Sequence, residues 1–274
     1  MELSLASGVL PDANPLQTVD AAAVAGFSHV GLWIDTATWT DSLTRSVRAA
    51  LRAHGIGLLD AEVLWIKPGP ANPDHLRAID IAAELGARNV LVVSSDPDQG
   101  ATLAKYVQLC RHAAPSGVRV ALEFGAFTEI GTLDAALAIL RDARQPNQAL
   151  LVDALHLRRS GGTPADLARV PAAWFSYAQL CDAPLDGPAA TDRVAIREEA
   201  VDLRLCPGQG ALPLAGLLAA LPAGLPLSVE VRSAELRRAW PDFAERASVV
   251  ADATRLWLAS PLSNNDNDAS GDRT

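Results

Sequence analysis

A chain of 274 residues that is 49% hydrophobic and 20% charged has the apolar material for one large core, and single α/β barrels of about 250 residues are common. Its net charge of −9 argues against a general nucleic-acid or anionic-membrane binder, because phosphates would be repelled. No apolar stretch reaches the roughly 18 residues of a membrane span.

The opening segment, "MELSLASGVLPDANP", lacks the basic start and long apolar run of a signal peptide. Cys110, Cys181 and Cys206 are odd in number, widely spaced and without a CxxC, which predicts neither a disulfide framework nor a structural zinc site and fits a cytoplasmic protein. Short apolar runs then alternate with longer helical patterns from end to end. Strands are predicted at 3–7, 29–35, 57–66, 89–95, 118–124, 149–154, 174–182 and 226–231. Helices are predicted at 16–27, 41–55, 75–87, 102–114, 132–144, 164–170 and 213–221, with a long one near 234–259. Many are followed closely by Gly or Pro, as stop signals should be.

Eight strand–helix units without a linker-like break predict a single (β/α)₈ TIM barrel over residues 1–260. The competitor, a doubly wound open sheet, should carry a Gly-rich turn after its first strand, and "ASGVLPDANP" is not such a fingerprint. Residues 261–274, ending in "SNNDNDASGDRT", have no apolar anchor and read as a disordered tail.

Strand C-termini build the site in such a barrel, and residues two apart share a strand face. In "VRVALEF" (118–124) Val118, Val120 and Leu122 should pack outward, leaving Arg119, Ala121 and Glu123 toward the axis. By the same parity Asp153, the set Tyr177, Gln179 and Cys181, and the pair Ser228 and Glu230 face inward. Four successive strands therefore present Glu123, Asp153, Gln179 and Glu230. Three converging carboxylates repel one another and lose hydration, and a divalent cation relieves both penalties. Three carboxylates and an amide oxygen are hard donors that suit Mn²⁺ or Mg²⁺, with Co²⁺ as an alternative, better than Zn²⁺. The competing reading pairs each acid with an arginine or uses it to cap a helix.

These residues resemble the sugar phosphate isomerase/epimerase family with its xylose isomerase-like barrel. The likeness rests on "VDALHLRRSGGTPADL" (152–167), "LEF" (122–124) and "SVEV" (228–231). Most members carry His-x-Lys-Asp on the seventh strand; here "QLCD" (179–182) stands instead. With "RLCPGQGALPL" (204–214) that segment is similar to bacterial 3-dehydroshikimate dehydratases. The resemblance implies a metal-dependent isomerase, epimerase or dehydratase acting on a small oxo-polyol, keto-sugar or cyclic hydroxy-ketone through a metal-stabilised enediolate. It also implies that Glu123 and Glu230 combine metal binding with acid–base work.

His156 is the candidate second base, if a turn swings it over the metal; otherwise it orients a ligand or caps the loop. Arg204, Arg158 and Lys67 follow strand ends and are candidates for binding substrate anions. Glu62 is a candidate for a hydroxyl, and Trp33 and Trp65 for apolar walls. "PGQG" (207–210) either cradles a phosphate with backbone N–H groups or simply feeds the next helix. Asp182 falls on the other strand face and reads as a loop or supporting residue. Cys181 has no partner that would mark it as a nucleophile. Two other classes are disfavoured. An abasic-site endonuclease would gather several histidines on zinc, and only His156 falls just past a strand end. A non-catalytic sugar-binding barrel would not need to keep Glu123, Asp153, Glu230 and His156. The expected partner is a small molecule, without nucleic acid or membrane, and a homodimer is the usual expectation for a soluble oligomer.

Overall fold

Nine of the ten α-helices among the described residues begin where a short polar side chain takes up an orphaned backbone N–H. Asn14, Thr40, Asn72, Asp98, Thr132, Asp192 and Ser233 each accept from an amide two or three residues on. The computed structural model describes residues 1–260, so the tail expected at 261–274 lies outside the described residues.

The strands are β1 (Leu3–Leu5), β2 (His29–Trp33), β3 (Gly57–Ile66), β4 (Asn89–Ser94), β5 (Arg119–Glu123), β6 (Gln148–Asp153), β7 (Phe175–Leu180) and β8 (Leu227–Val229). The helices between and after them are α1 (Pro15–Val24), α2 (Asp41–His54), α3 (Pro73–Leu85), α4 (Gln99–Ala113), α5 (Leu133–Ala143), α6 (Ala154–Arg159), α7 (Arg193–Asp202), α8 (Leu214–Ala220), α9 (Ala234–Ala239) and α10 (Phe243–Leu258). All eight strands are parallel, each pairs with the next, and β8 closes on β1. The fold is thus the expected (β/α)₈ barrel. Among the described residues no helix is long and apolar enough to cross a membrane.

Side-chain parity sorts the core into two layers. Val90, Val92, Val120, Leu122, Leu150 and Val152 join the large shell between strands and helices. Leu59, Leu91, Val93, Ala121, Ala149, Leu151 and Tyr177 form a small separate cluster inside the barrel. The structure departs from the predicted elements in three places. The long helix near 234–259 is two helices, because Pro241 supplies no N–H and disfavours helical backbone at Trp240, and Asp242 then caps α10 through Glu245 N. The segment at 164–170 is a 3-10 turn, Pro164–Arg169. Helices α6 and α7 are additional; α7, "RVAIREEAVD", buries only Ile196, Glu199 and Ala200, too narrow an apolar stripe to announce itself.

β3 shifts register against β2 between Val30 and Gly31, so that Gly31 pairs with Asp60. A Cβ at Gly31 would lie 2.9 Å from Asp60 Oδ1, so glycine there makes room for the carboxyl. Asp60 is fully buried and neither of its oxygens has a hydrogen-bond partner among the described residues. Burial, reinforced by Glu62 and Glu230, pushes its carboxyl well above the usual range. A raised folded-state pKa means that the folded protein holds this proton more tightly than the unfolded chain. The associated stability is therefore fully present below about pH 3.9 and is lost as pH rises. Asp60→Asn should accordingly raise Tm at pH 8, with the advantage shrinking toward pH 4; a pH-independent difference in thermal melts would contradict this.

Candidate active site

The acids meet at the C-terminal mouth of the barrel. Glu123 and Asp153 end β5 and β6, and Glu230 directly follows β8. Register sets Asp153 beside Gln179 and Gln179 beside Ser228. One oxygen each from Glu123, Asp153 and Glu230 lies within 4.8 Å of the others, and all three residues are buried.

Arg204 sits among them. Its Nη1 donates to Asp153 Oδ2 at 2.6 Å and lies 3.1 Å from Glu230 Oε2, while Nε donates to the Ala200 carbonyl at 2.7 Å. Burial is the largest influence on Asp153 and opposes its ionisation, but the Arg204 guanidinium, His156 and the hydrogen bonds from both together hold this carboxyl below its usual range. Glu123 has no such contact; burial, then Glu230 and Asp153, push it well above the carboxylate range. Burial raises Glu230 to about 7, with Arg204 offsetting part of the effect.

The donor set fits a cation. Glu123 Oε1 and both polar atoms of the Gln179 amide are buried without a hydrogen-bond partner among the described residues, an arrangement that normally needs one. The triad could hold a divalent metal, and ionised carboxylates keep lone pairs for it beside the bonds they already accept.

The three-residue spacing of Asp153 and His156 is the first turn of α6: Asp153 caps the helix, its Oδ1 accepting from His156 N at 2.9 Å. The imidazole therefore enters the site from a helix rather than from a loop. His156 Nε2 lies 4.0 Å from Glu123 Oε1 and 3.4 Å from Arg204 Nη2, and Nδ1 has no partner among the described residues. Burial lowers its pKa to about 4, so the ring is neutral at neutral pH. Phe127 packs against it edge-on, centroids 5.4 Å apart.

A cavity of about 150 Å³ opens beside these groups, lined by Trp33, Glu62, Trp65, Glu123, Phe127, His156, Arg197, Arg204, Glu230 and Arg232. Glu62 uses Oε1 to accept from the Ser7 amide and hydroxyl at 3.2 and 2.7 Å. Trp65 is fixed by Nε1 donating to Ser95 Oγ at 2.8 Å. Lys67 lines a neighbouring cavity of about 410 Å³ instead. Arg158 Nε donates to the Leu185 carbonyl at 3.4 Å and does not line the cleft. Cys181 is buried with its thiol pushed up, chiefly by burial, and accepts from Arg204, which leaves no nucleophile there.

The N–H groups of "PGQG" are engaged within the protein. Gly208 N and Gly210 N both donate to Asp182 Oδ2 at 2.9 Å, so this turn binds the protein's own carboxylate and does not offer these amides to a phosphate.

Sequence reading missed Arg197, Arg232, Phe127 and Gly8. Helix α7 places Arg197, Ala200 and Val201 toward the cleft by 3.6-residue periodicity, visible only once the helix is known. Arg232 had a signal, since the parity selecting Ser228 and Glu230 continues to it. A Cβ on Gly8 would lie 2.8 Å from both Glu230 Oε1 and Arg232 Cγ, so glycine after β1 lets both side chains reach their places.

Residues 19–258 match the model of the xylose isomerase-like TIM barrel family, and the chain belongs to that family. A 3-dehydroshikimate dehydratase of Pseudomonas aeruginosa is 32% identical over 241 residues, 82% of this chain and 36% of that protein. One from Pseudomonas putida is 28% identical over 273 residues, 92% of this chain and 41% of its own length. The chain thus spans about two-fifths of the length of these curated relatives. Among solved structures, the IOLI protein with a bound zinc atom superimposes with a TM-score of 0.79 at 17% identity, covering 96% of this chain and 99% of that one.

Proposed function

We propose that this barrel is a divalent-metal-dependent lyase that removes water from a small cyclic hydroxy-ketone of the 3-dehydroshikimate type, by proton abstraction next to the carbonyl. The observation that carries this reading is the buried triad of Glu123, Asp153 and Glu230, with one oxygen of each within 4.8 Å of the others. The orphaned Gln179 amide stands at the level of Asp153. Glu123, Asp153, Gln179 and Glu230 would hold Mn²⁺ or Mg²⁺. Bound there, such an ion polarises a carbonyl and makes the neighbouring C–H more acidic.

The protein's own groups supply the rest. His156, neutral above about pH 4, accepts the proton from carbon and returns it to the departing hydroxyl, so that water leaves and the base is restored. Glu62 has its second oxygen free to accept from a substrate hydroxyl, because Ser7 occupies only Oε1. Trp33, Trp65 and Phe127 provide apolar walls that limit water around the reacting carbons. The relatives' printed names support dehydration as the outcome; the same proton abstraction followed by return to carbon would give isomerisation or epimerisation.

Protein purified without chelator should carry about one divalent ion per chain and, with Mn²⁺, should dehydrate 3-dehydroshikimate, followed by absorbance. EDTA should abolish turnover, and His156→Asn should lower kcat roughly 10²–10⁴-fold. Turnover insensitive to both changes would sink the reading. Conversion of keto-sugars without water loss would move the assignment to isomerisation.

A further inference from the structure

Among the described residues, the buried arginine side chains of Arg159, Arg204 and Arg246 are paired. Arg159 meets Glu199 at 2.7 Å, Arg246 meets Asp12 at 2.6 Å, and Arg204 meets Asp153 and Glu230. Arg232 differs. Its Nε is buried without a hydrogen-bond partner, and its guanidinium makes no ion pair among the described residues. Only its main chain is engaged, the carbonyl accepting from Arg204 N at 3.0 Å. A buried Nε whose N–H has no acceptor is costly, and a ligand oxygen entering the cleft would complete it.

Its position is specific. Arg232 follows Glu230 by two residues, and both line the cleft. It also lines the adjoining cavity of about 390 Å³ with Ser7, Gly8 and Trp33, so it stands at the boundary between the two. Gly8 leaves space for the stem, since a Cβ there would lie 2.8 Å from Arg232 Cγ. The charge balance gives the sign of the missing group. Glu62, Glu123, Asp153 and Glu230 contribute four negative charges, against three positive ones from Arg197, Arg204 and Arg232. With these carboxylates ionised around a divalent cation the site would carry one net positive charge, which suits a monoanion.

We infer that Arg232 is a specificity-determining residue that receives a carboxylate of the substrate while the reacting carbons lie beside Glu230 and His156. The inference deepens the proposed function and rests on its reading of the cleft as a metal-loaded small-molecule site. Arginine offers a planar fork that meets both carboxylate oxygens at once. The carboxylate in turn supplies the acceptor that Arg232 Nε lacks.

Two ligands isolate the carboxylate: 3,4-dihydroxybenzoate and catechol share the ring and both hydroxyls and differ only in the acid group. Calorimetry on the full chain with Mn²⁺ should show the acid binding at least about tenfold more tightly. Arg232→Gln should bring the two affinities to within about twofold by weakening the acid alone, with catechol affinity and Tm nearly unchanged; Arg232→Lys should keep an intermediate preference, as a charge without the fork. The inference is overturned if the wild type binds both equally or neither, if Arg232→Gln keeps the preference, or if it weakens both ligands together. Competition by inorganic phosphate as strong as by the benzoate would reassign the subsite to phosphate and overturn the carboxylate. A carboxylate preference that persists with EDTA, or without any turnover, would tell against the metal-dependent reading while leaving Arg232 in place.

Discussion

Arg204→Met is expected to lower the unfolding free energy of the metal-free protein by about 3–5 kcal/mol, the usual cost of breaking a buried ion pair from one side. The guanidinium is the only protein cation in ion-pair contact with Asp153 and Glu230 among the described residues, at 2.6 and 3.1 Å. Methionine fills much of the volume but leaves two buried carboxylates facing Glu123 without compensation. They can then either take up protons or unfold the site. The same variant should lose turnover, because Arg204 also lies 3.4 Å from His156 Nε2 and helps to place the base. Mn²⁺ should raise the Tm of Arg204→Met more than that of the wild type, since a divalent charge answers the same carboxylates. Equal metal-induced shifts in the two proteins, or a variant within about 1 kcal/mol of wild type by denaturant melts, would show that Arg204 does not carry this charge balance.

How much of this was legible follows from the range over which each feature is set. Barrel and inward acids are written in a period of two, so Glu123, Asp153 and Gln179 could be placed from their strands alone. The expectation that each acid either meets a cation or pairs with an arginine posed as alternatives what the structure partly joins, since Arg204 lies between Asp153 and Glu230. His156 was sought on a loop because strand parity forbade it; parity ends at Asp153, where the chain turns into α6 and three residues become one helical turn. Arg204 was placed at the mouth by its sequence position, but its depth depends on contacts 23 to 51 residues away, which no local pattern encodes. The glycines of "PGQG" did signal amides that bind an anion. What could not be read was that the anion is Asp182, 26 to 28 residues earlier.

That knot supports the second large expectation: Asp182→Ala should destabilise the protein by about 3–5 kcal/mol, from several orphaned N–H groups at about 1–3 kcal/mol each, less what water recovers. Asp182 Oδ1 accepts from Ala183 N and Leu212 N at 2.9 and 3.0 Å, and Oδ2 accepts from Gly208 N and Gly210 N at 2.9 Å. Two main-chain bonds to Leu205 at 2.9 and 2.8 Å complete the tie. The packing is close enough that a Cβ on Gly210 would fall 2.5 Å from Asp182 Oδ1 and 2.3 Å from the Ala183 carbonyl. Asp182→Asn should behave almost like Ala, because its amide keeps one accepting oxygen and turns an N–H₂ toward two donors. The segment fixed in this way begins at Arg204, so loosening it withdraws the guanidinium from Asp153 and Glu230. Hydrogen exchange should therefore rise first at 205–212, and turnover should fall at temperatures where both variants remain folded. An Asn variant with wild-type protection at Gly208 and Gly210 and unchanged turnover would mean that Arg204 is held in the site without this carboxylate, by its bond to the Ala200 carbonyl and its own ion pairs.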